Sequence, residues 1–349
     1  MAIQSTFKAA FTSLRKSFAR DKKKSPILNR IHDAFNALEE NALPVADLVK
    51  RTTRLATVLS ECVPLLYESR ARPTLAFCGS AIESLYETKL KPAAKSKDRQ
   101  NTTLWEETML NGLIQPILEI VDPDGKDAVL FGETLYPAIC RAMRSGCAAA
   151  FGGRFAHSLA LVLLETCSAP ENKRTLLDQN VFGVTTLSKL IIDAKSYHHL
   201  DTLLELSFRM FSRQDGANTR ESYAKNLFDT EYASIRLTQE VCAELSRIHA
   251  VTSGNNSEQH VLDIIRAMSS VQVQRPQVFS TQDLSYRGTK YTQRAPSNVM
   301  VLDDSSVSII ICDKDDETDV LAVPFASIEK VELAIQDGEF LRTLENRAN

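Results

Sequence analysis

The stretch VSIIICDKDDETDVLAVPF (residues 307–325) decides how the C-terminal part of the chain is interpreted. Two runs rich in apolar and β-branched residues, VSIIIC (307–312) and VLAVPF (320–325), flank the acidic run DKDDETD (313–319). Such runs, separated by a short polar segment, are typical of two antiparallel strands joined by a turn. The sequence therefore predicts a β-hairpin in a chain whose preceding residues have helical periodicity.

The residues around this hairpin predict further strands. VQVQRPQVF (271–279) alternates apolar and polar residues, and a turn at Arg287-Gly288 divides the segment 283–292 into two strands. Short strands are also predicted at 298–302 and 328–334, and the tail GEFLRTLENR (338–347) is predicted to be a helix. Several short antiparallel strands closed by a helix favour a small β domain of pleckstrin-homology (PH) type over residues 271–349.

Residues 1–270 show helical periodicity throughout. One apolar stripe contains Leu28, Ile31, Phe35 and Leu38, and similar stripes recur with short breaks as far as residue 270. Pro64 is expected to cut the stripe that ends at Val63, and Pro116 is expected to kink or divide the segment 104–121. The polar segment 91–103 is expected to be a loop. Helices of this length with short connections predict an irregular armadillo- or HEAT-like α-solenoid. The fold class is therefore α+β in separate modules, with domains at 1–270 and 271–349.

The N-terminal segment leaves three interpretations open. Phe7, Phe11, Leu14 and Phe18 lie on one face of a helix, which favours a packed first helix of the domain. The absence of acidic residues from 1–20 is also typical of a mitochondrial transit peptide. A basic helix that binds a partner is the third possibility.

Composition bounds the class of protein. The chain has 349 residues, 44% of them hydrophobic and 24% charged, a composition typical of a folded globular protein. Its longest apolar runs, such as 113–121, are much shorter than the roughly 18–20 residues that a membrane-spanning helix requires. The seven cysteines form no C-x-x-C pair, which suggests a reducing compartment.

Charge is unevenly distributed along the chain. Residues 1–24 contain seven basic residues and one acidic residue, a net charge of +6. Residues 301–349 contain four basic and twelve acidic residues, a net charge of −8. The two ends are therefore expected to attract different partners.

Three segments of the β domain also carry a family resemblance: RPQVFSTQDLSYRGTKY (275–291), VMVLDDSSVSIIIC (299–312) and VLAVPFASIEKVELA (320–334). Together they resemble the start of the Spt16M-like domain of meiotic chromosome axis core proteins, the synaptonemal complex protein 2 family and its fungal counterparts. In that family the domain follows an armadillo-repeat-like helical domain. The resemblance implies a nuclear, chromosome-associated protein that recruits axis, chromatin or centromere-associated proteins.

No segment predicts catalysis, a cofactor or a metal. The acidic run has Thr318 and Pro324 where a calcium-binding loop requires Gly and Glu, so we interpret it as a solvated turn. His198 and His199 point in different directions on a helix, and AFGGRF (150–155) lacks the Lys-Ser/Thr of a phosphate-binding loop. An enzyme is therefore not expected.

The expected function is a non-enzymatic interaction module. The acidic run is the predicted binding site for a basic or histone-like protein, through the residues Asp313, Asp315, Asp316, Glu317 and Asp319. Direct DNA binding is expected to be weak or absent, since no DNA-binding motif occurs. Two alternatives remain: a PH-type adaptor that binds lipid at a membrane surface, and a mitochondrial protein if the N-terminus is a transit peptide.

Overall fold

The structure is a computed structural model. It describes residues 2–38, 44–122, 127–145 and 151–210, the helical positions 227, 264–265 and 268, and strand residues between 276 and 345. The chain forms two compact units: the first contains Met1–Ala194 and His198–Ala233, and the second contains Lys195–Tyr197 and Ser234–Asn349. The predicted boundary between residues 270 and 271 lies outside the described residues and stays a prediction.

All the long secondary-structure elements described in the first unit are helices. Helices α1 to α7 and two π-helical turns, π1 and π2, follow one another as α1 (Ala2–Ser17), α2 (Ser25–Asn36), α3 (Val45–Tyr67), α4 (Ala71–Leu85), π1 (Tyr86–Leu90), α5 (Lys91–Lys95), α6 (Arg99–Met109), π2 (Leu110–Ile114) and α7 (Gln115–Ile120). The next helices are α8 (Ala128–Arg144), α9 (Gly153–Thr166), α10 (Pro170–Leu177), α11 (Gly183–Asp193) and α12 (Tyr197–Met210). The prediction of a mostly helical chain is confirmed.

The N-terminal helix packs into the first unit, as the first of its three interpretations predicted. Phe11, Leu14 and Phe18 are buried, and the ring of Phe11 meets that of Phe77 on α4 at a centroid distance of 6.1 Å. The side chain of Phe7 lies outside the described residues. The apolar stripe of α1 is therefore covered by α4, while its basic side chains face solvent.

The helices of the first unit pack in two rows. Helix α4 lies between α1 and α8, and α8 in turn contacts α10. In the other row, α3 contacts α2 on one side and α6, π2 and α7 on the other, and α9 packs against α7, π2 and α8. Some helices thus pack on their neighbours along the chain, as α2 does on α3 and α8 on α9, and others on more distant helices, as α4 does on α1 and α8.

Two glycines permit the closest approaches between these helices. A Cβ atom at Gly79 on α4 would lie 2.2 Å from the backbone oxygen of Thr134 on α8. A Cβ atom at Gly112 in π2 would lie 2.9 Å from the Cα atom of Ala56 on α3. Neither distance leaves room for a side chain, so the spacing of both helix pairs depends on glycine.

Two predicted interruptions differ from the structure. Residues 91–103 were predicted to form a loop, which is wrong, because they contain α5 and the start of α6. Pro92 lies in the first turn of α5, directly after the π-helical turn π1, and the Asp98 carboxylate accepts a capping bond from the N–H of Asn101 at 3.1 Å. Pro64 lies inside α3 and does not end that helix.

Pro116 does not interrupt its segment, which is helical throughout residues 99–120. The helix widens into the π-helical turn π2 at Leu110–Ile114, and α7 then begins with Pro116 in its first turn. A π-helical turn shifts the hydrogen-bonding register directly before the proline, which has no N–H to donate to the preceding turn. The proline is therefore accommodated within a continuous stretch of helix.

The second unit contains small antiparallel sheets. The predicted hairpin is confirmed: β5 (Ser306–Cys312) pairs with β6 (Thr318–Pro324), and Ile309 lies opposite Leu321. Strands β1 (Gln277–Thr281) and β4 (Asn298–Leu302) extend this sheet in the order β1-β4-β5-β6. Strands β2 (Asp283–Tyr286) and β3 (Thr289–Thr292) form the second predicted hairpin.

The predicted C-terminal helix is wrong. Leu341–Glu345 form strand β8, which pairs antiparallel with β7 (Lys330–Ala334) and places Leu344 opposite Val331. The spacing of Phe340, Leu341 and Leu344 fits a helix, but a segment this short has little intrinsic helix stability. Pairing with β7 supplies the backbone hydrogen bonds of the strand instead.

Replacing Gly79 with alanine is predicted to destabilise the first unit. The added methyl group would force α4 away from Thr134 of α8, and we expect a loss of about 1–3 kcal/mol in the free energy of unfolding. Chemical denaturation followed by circular dichroism measures this loss. The neighbouring change Ser80→Ala, also on α4, should alter stability by no more than about 0.5 kcal/mol. Equal stability of G79A and S80A would contradict the close approach.

Candidate functional site

The structure describes only one of the five predicted partner-binding residues, Asp319. Asp313, Asp315, Asp316 and Glu317 lie outside the described residues. Asp319 lies on β6, directly opposite Ile311 of β5. The acidic run therefore joins two paired strands, and its role stays a prediction.

A groove between α2 and α3 brings three cationic side chains to one site. Its volume is about 440 Å³. It is lined by three cationic residues, two threonines and one valine: Arg30, Lys50, Arg54, Thr53, Thr57 and Val58. We call this site the basic groove. Val58 is buried beneath it, and the other five side chains are exposed.

The positive charge of the basic groove is only partly compensated. Arg30 forms an ion pair with Glu61 of α3, and its hydrogen bond to Glu61 is the main cause of a raised pKa for the guanidinium. No described carboxylate forms an ion pair with Lys50 or Arg54. Two of the three cations therefore remain available to an anionic group from outside.

The hydroxyl groups of Thr53 and Thr57 already donate their hydrogens within α3, so they do not serve as donors to a bound anion. The Thr53 hydroxyl donates to the backbone oxygen of Val49 at 2.9 Å, and the Thr57 hydroxyl donates to that of Thr53 at 3.0 Å. Each hydroxyl hydrogen is thus directed back at its own helix. The donors in this groove that remain for a ligand are the nitrogens of its basic side chains.

Two exposed valines continue this surface toward the start of α3. Val45 is 55% exposed and Val49 is 42% exposed. Residues four apart on a helix drift by only about 40°, so Val45, Val49, Thr53 and Thr57 form a continuous row, with Lys50 and Arg54 beside it. We call Val45 and Val49 the valine edge of the basic groove.

A second cleft is larger but electrostatically compensated. It has a volume of about 570 Å³ and lies between π1, α5, α8 and α10. Lys91 pairs with Glu87 at 2.7 Å, and Arg141 pairs with Glu83. Arg144 donates a hydrogen bond to the backbone oxygen of Asn180. Because its cations already have partners, this cleft offers less to a charged ligand than the basic groove does.

The glycine-rich segment AFGGRF (150–155), which lacks the residues of a phosphate-binding loop, leads into α9 and binds a carboxyl group of the protein itself. Gly152, at the N-terminus of α9, donates its N–H to Oε1 of Glu106 at 2.9 Å. Glu106 lies on α6 and is 7% exposed. Burial raises its pKa to about 7, while the hydrogen bond from Gly152 lowers it. The loop therefore fixes α9 to α6.

Three histidines meet between α9 and α12. The ring centroids of His157 and His198 are 6.1 Å apart, and Nδ1 of His157 lies 3.0 Å from the Thr202 hydroxyl oxygen. Burial lowers the pKa of His157, and it lowers that of His199 to about 4, with a further contribution from His157. Nε2 of His199 is buried and has no hydrogen-bond partner. The described residues contain no group of three or more side chains that could hold a metal ion.

The four described cysteines are buried and free. Burial raises the pKa of every one of them: Cys62, Cys78, Cys140 and Cys167. A thiol must ionise to act as a nucleophile, so a raised pKa makes these side chains unreactive at neutral pH. They behave as small apolar core residues.

The comparisons with known proteins give no relative. No protein-family model, curated protein or solved structure matches this chain. In the part that the structure describes, no helix is long and apolar enough to cross a bilayer.

The sequence interpretation missed the basic groove. Arg30 lies on α2, while Lys50 and Arg54 lie on α3, so only the packing of the two helices brings them to one site. The signal present in the sequence was the spacing from Lys50 to Arg54 beside Thr53 and Thr57, which places polar residues on one helix face.

Glu106 is predicted to make stability depend on pH. Its pKa is about 7 in the folded state against an ordinary value of 4.5, so between these values the folded state keeps a proton that the unfolded state loses. Wild type should therefore lose stability relative to Glu106→Gln as pH rises from about 4.5 to about 7, by roughly 1–3 kcal/mol.

Urea denaturation of both proteins at several pH values measures this difference. The glutamine can still accept the hydrogen bond from Gly152, so the variant should fold. The exposed Glu119, changed to glutamine, serves as the control and should leave the pH profile unchanged. A difference between wild type and E106Q that is constant across this pH range would contradict the burial of an ionisable carboxyl.

His199 is predicted to make the folded state less stable as pH falls, which is the opposite of the pH dependence predicted for Glu106. Its folded-state pKa of about 4 lies below the ordinary value of 6.5, so the stability that its neutral form contributes is present above 6.5 and is lost as pH falls toward 4. His199→Leu should reduce this acid-induced loss. Thermal unfolding at neutral pH and at about pH 5 tests it, with exposed His32→Gln as the control. The same acid sensitivity in H199L and wild type would refute the assignment.

Proposed function

We propose that this chain is a non-enzymatic protein-interaction module of the kind found at the N-terminus of meiotic chromosome axis proteins. It acts in the nucleus, on chromosomes, and recruits axis, chromatin or centromere-associated proteins. The first unit is an irregular armadillo- or HEAT-like solenoid, and the second unit contains a PH-like, Spt16M-like domain.

The observation that carries this proposal is the placement of charge. In the described part of the first unit, several groups capable of chemistry already have partners within the protein: Glu106 binds Gly152, His157 lies beside Thr202, and the cleft residues Lys91 and Arg141 pair with carboxylates. On the exposed face of α3, by contrast, Lys50 and Arg54 line a groove and form no ion pair with a described carboxylate. Exposed charge at fixed positions suits the recognition of a partner more than it suits catalysis.

The packing is consistent with the proposed domain types. Contacts between helices adjacent in the chain, such as α2 with α3 and α8 with α9, occur beside contacts of α4 with α1 and α8, and stacked helical repeats produce such contacts between neighbouring repeats. In the second unit, the segments that carry the family resemblance pair with one another, with β1 on β4, β4 on β5 and β5 on β6. Both features support the proposal.

The acidic run 313–319 is the proposed site for a basic, histone-like partner. It joins β5 to β6 and contains five carboxylates against Lys314. Carboxylates of one sign in a short segment attract a cationic peptide over roughly a Debye length, about 8–10 Å at physiological salt. Direct DNA binding is weak or absent in this proposal, since the same charges repel phosphate.

Reversing the five carboxylates together tests the proposal. Lysine at Asp313, Asp315, Asp316, Glu317 and Asp319 should slow the association with a histone-tail peptide about tenfold at low salt and abolish its salt dependence. Stopped-flow fluorescence measures the rate. Single reversals should do little, because an exposed ion pair contributes only about 0–1 kcal/mol.

The control reverses the basic residues of the preceding strands. Glutamate at Arg287, Lys290 and Arg294 should not weaken binding of the same peptide. Binding that is indifferent to salt and to the five reversals would refute the role of the acidic run. Tight binding to anionic lipid vesicles that depends on the second unit would favour a lipid-binding adaptor instead.

A further inference from the structure

We propose that the basic groove between α2 and α3, together with its valine edge, binds a short acidic segment of a partner protein that also carries aliphatic side chains. This inference deepens the proposed interaction function and rests on it. It concerns a different surface from the acidic run and a ligand of opposite charge.

The anionic part of this ligand follows from the charges of the groove. Arg30, Lys50 and Arg54 line one site of about 440 Å³, and Glu61 compensates only Arg30. Carboxylates supplied by a partner would meet two cations that no described carboxylate already binds. Because the lining threonines donate to their own helix, these cations provide the specific contacts.

The apolar part of the ligand follows from the valine edge. Val45 and Val49 are both more than two-fifths exposed, at 55% and 42%, although most large apolar side chains described in the first unit are buried. A partner with aliphatic side chains would remove this apolar surface from water. A ligand that carries only charge would leave it exposed.

The side chains of the groove and its valine edge favour a peptide over a nucleic acid. The six lining residues include no aromatic side chain on which a base could stack, and stacking is the usual partner of phosphate contacts in single-strand binding. A phosphate group also has no apolar surface that could pack against Val45 and Val49. An acidic peptide with Leu, Ile or Val satisfies both the cations and the valines.

The dimensions match a short helical segment. From Val45 to Thr57 the exposed row of α3 extends about 18 Å at 1.5 Å per residue. A partner helix of about 12–15 residues would follow this row, with its acidic residues toward Lys50 and Arg54 and its aliphatic residues toward the valine edge.

Fluorescence anisotropy with the full chain tests the proposal. The probe is a labelled synthetic peptide of about 15 residues, with glutamate on one helix face and leucine on the adjacent face. The variant Lys50→Glu with Arg54→Glu should weaken binding about tenfold. Val45→Ser with Val49→Ser should weaken it roughly fivefold, since the leucines then gain no apolar contact.

The matched control reverses two exposed cations away from the groove. Lys95→Glu with Arg99→Glu changes the net charge by the same amount and should change affinity less than about twofold. Circular dichroism verifies that each variant folds. If the glutamate pair disturbs α3, Lys50→Gln with Arg54→Gln removes the same charges without reversal and should still weaken binding.

Three outcomes would overturn the inference. The first is an equal loss from the groove pair and the control pair, which would indicate only long-range charge. The second is tighter binding of an oligonucleotide or of phosphatidylserine vesicles, with no effect of the valine changes. The third is no detectable binding of the peptide. None of these outcomes contradicts the proposed function if the histone-tail peptide still binds through the acidic run. Failure of the basic-groove inference can therefore be distinguished from failure of the proposed function.

Discussion

The approach of α4 to α8 at Gly79 is the constraint on which the first unit depends. At this point the backbone oxygen of Thr134 occupies the space that a side chain would need. Helix α4 also receives α1 on its other side, where Phe77 meets Phe11. The spacing of three helices is therefore set by one residue without a Cβ atom and by the rings that fill the opposite side.

Polar side chains secure the helix ends around this core. Asn172 on α10 donates from Nδ2 to the backbone oxygens of Ala128 at 2.7 Å and Thr166 at 2.8 Å, and so joins the start of α8 to the end of α9. The Tyr136 hydroxyl lies 2.9 Å from the Thr166 hydroxyl, which itself donates to Val162. Buried polar groups that are satisfied in this way specify one arrangement of the helices.

Local pattern predicted most of the described elements, and tertiary contacts explain the exceptions. The hairpin of β5 and β6 was predictable because alternation and a polar turn are local signals. The strand Leu341–Glu345 was mistaken for a helix because its partner β7, and not its own spacing, determines its conformation. The helices in residues 91–103 were missed because the buried side chains of Ala93 and Thr102 are too few to form a visible stripe.

The basic groove could not be predicted for a related reason. Its three cations come from two helices, so the sequence does not show that they share one site. Packing also decides which of these cations meets a carboxylate. Glu61 pairs with Arg30, but no described carboxylate pairs with Lys50 or Arg54. The same packing directs the carboxyl group of Glu106 inward to the N-terminus of α9, where it accepts the N–H of Gly152 and so joins α6 to α9. The packing of the helices thus separates polar groups that maintain the fold from charged groups that face solvent. Only the second kind is open to a partner, and its position on α3 is as fixed as the core beneath it, where Val58, Leu55 and Leu59 are buried.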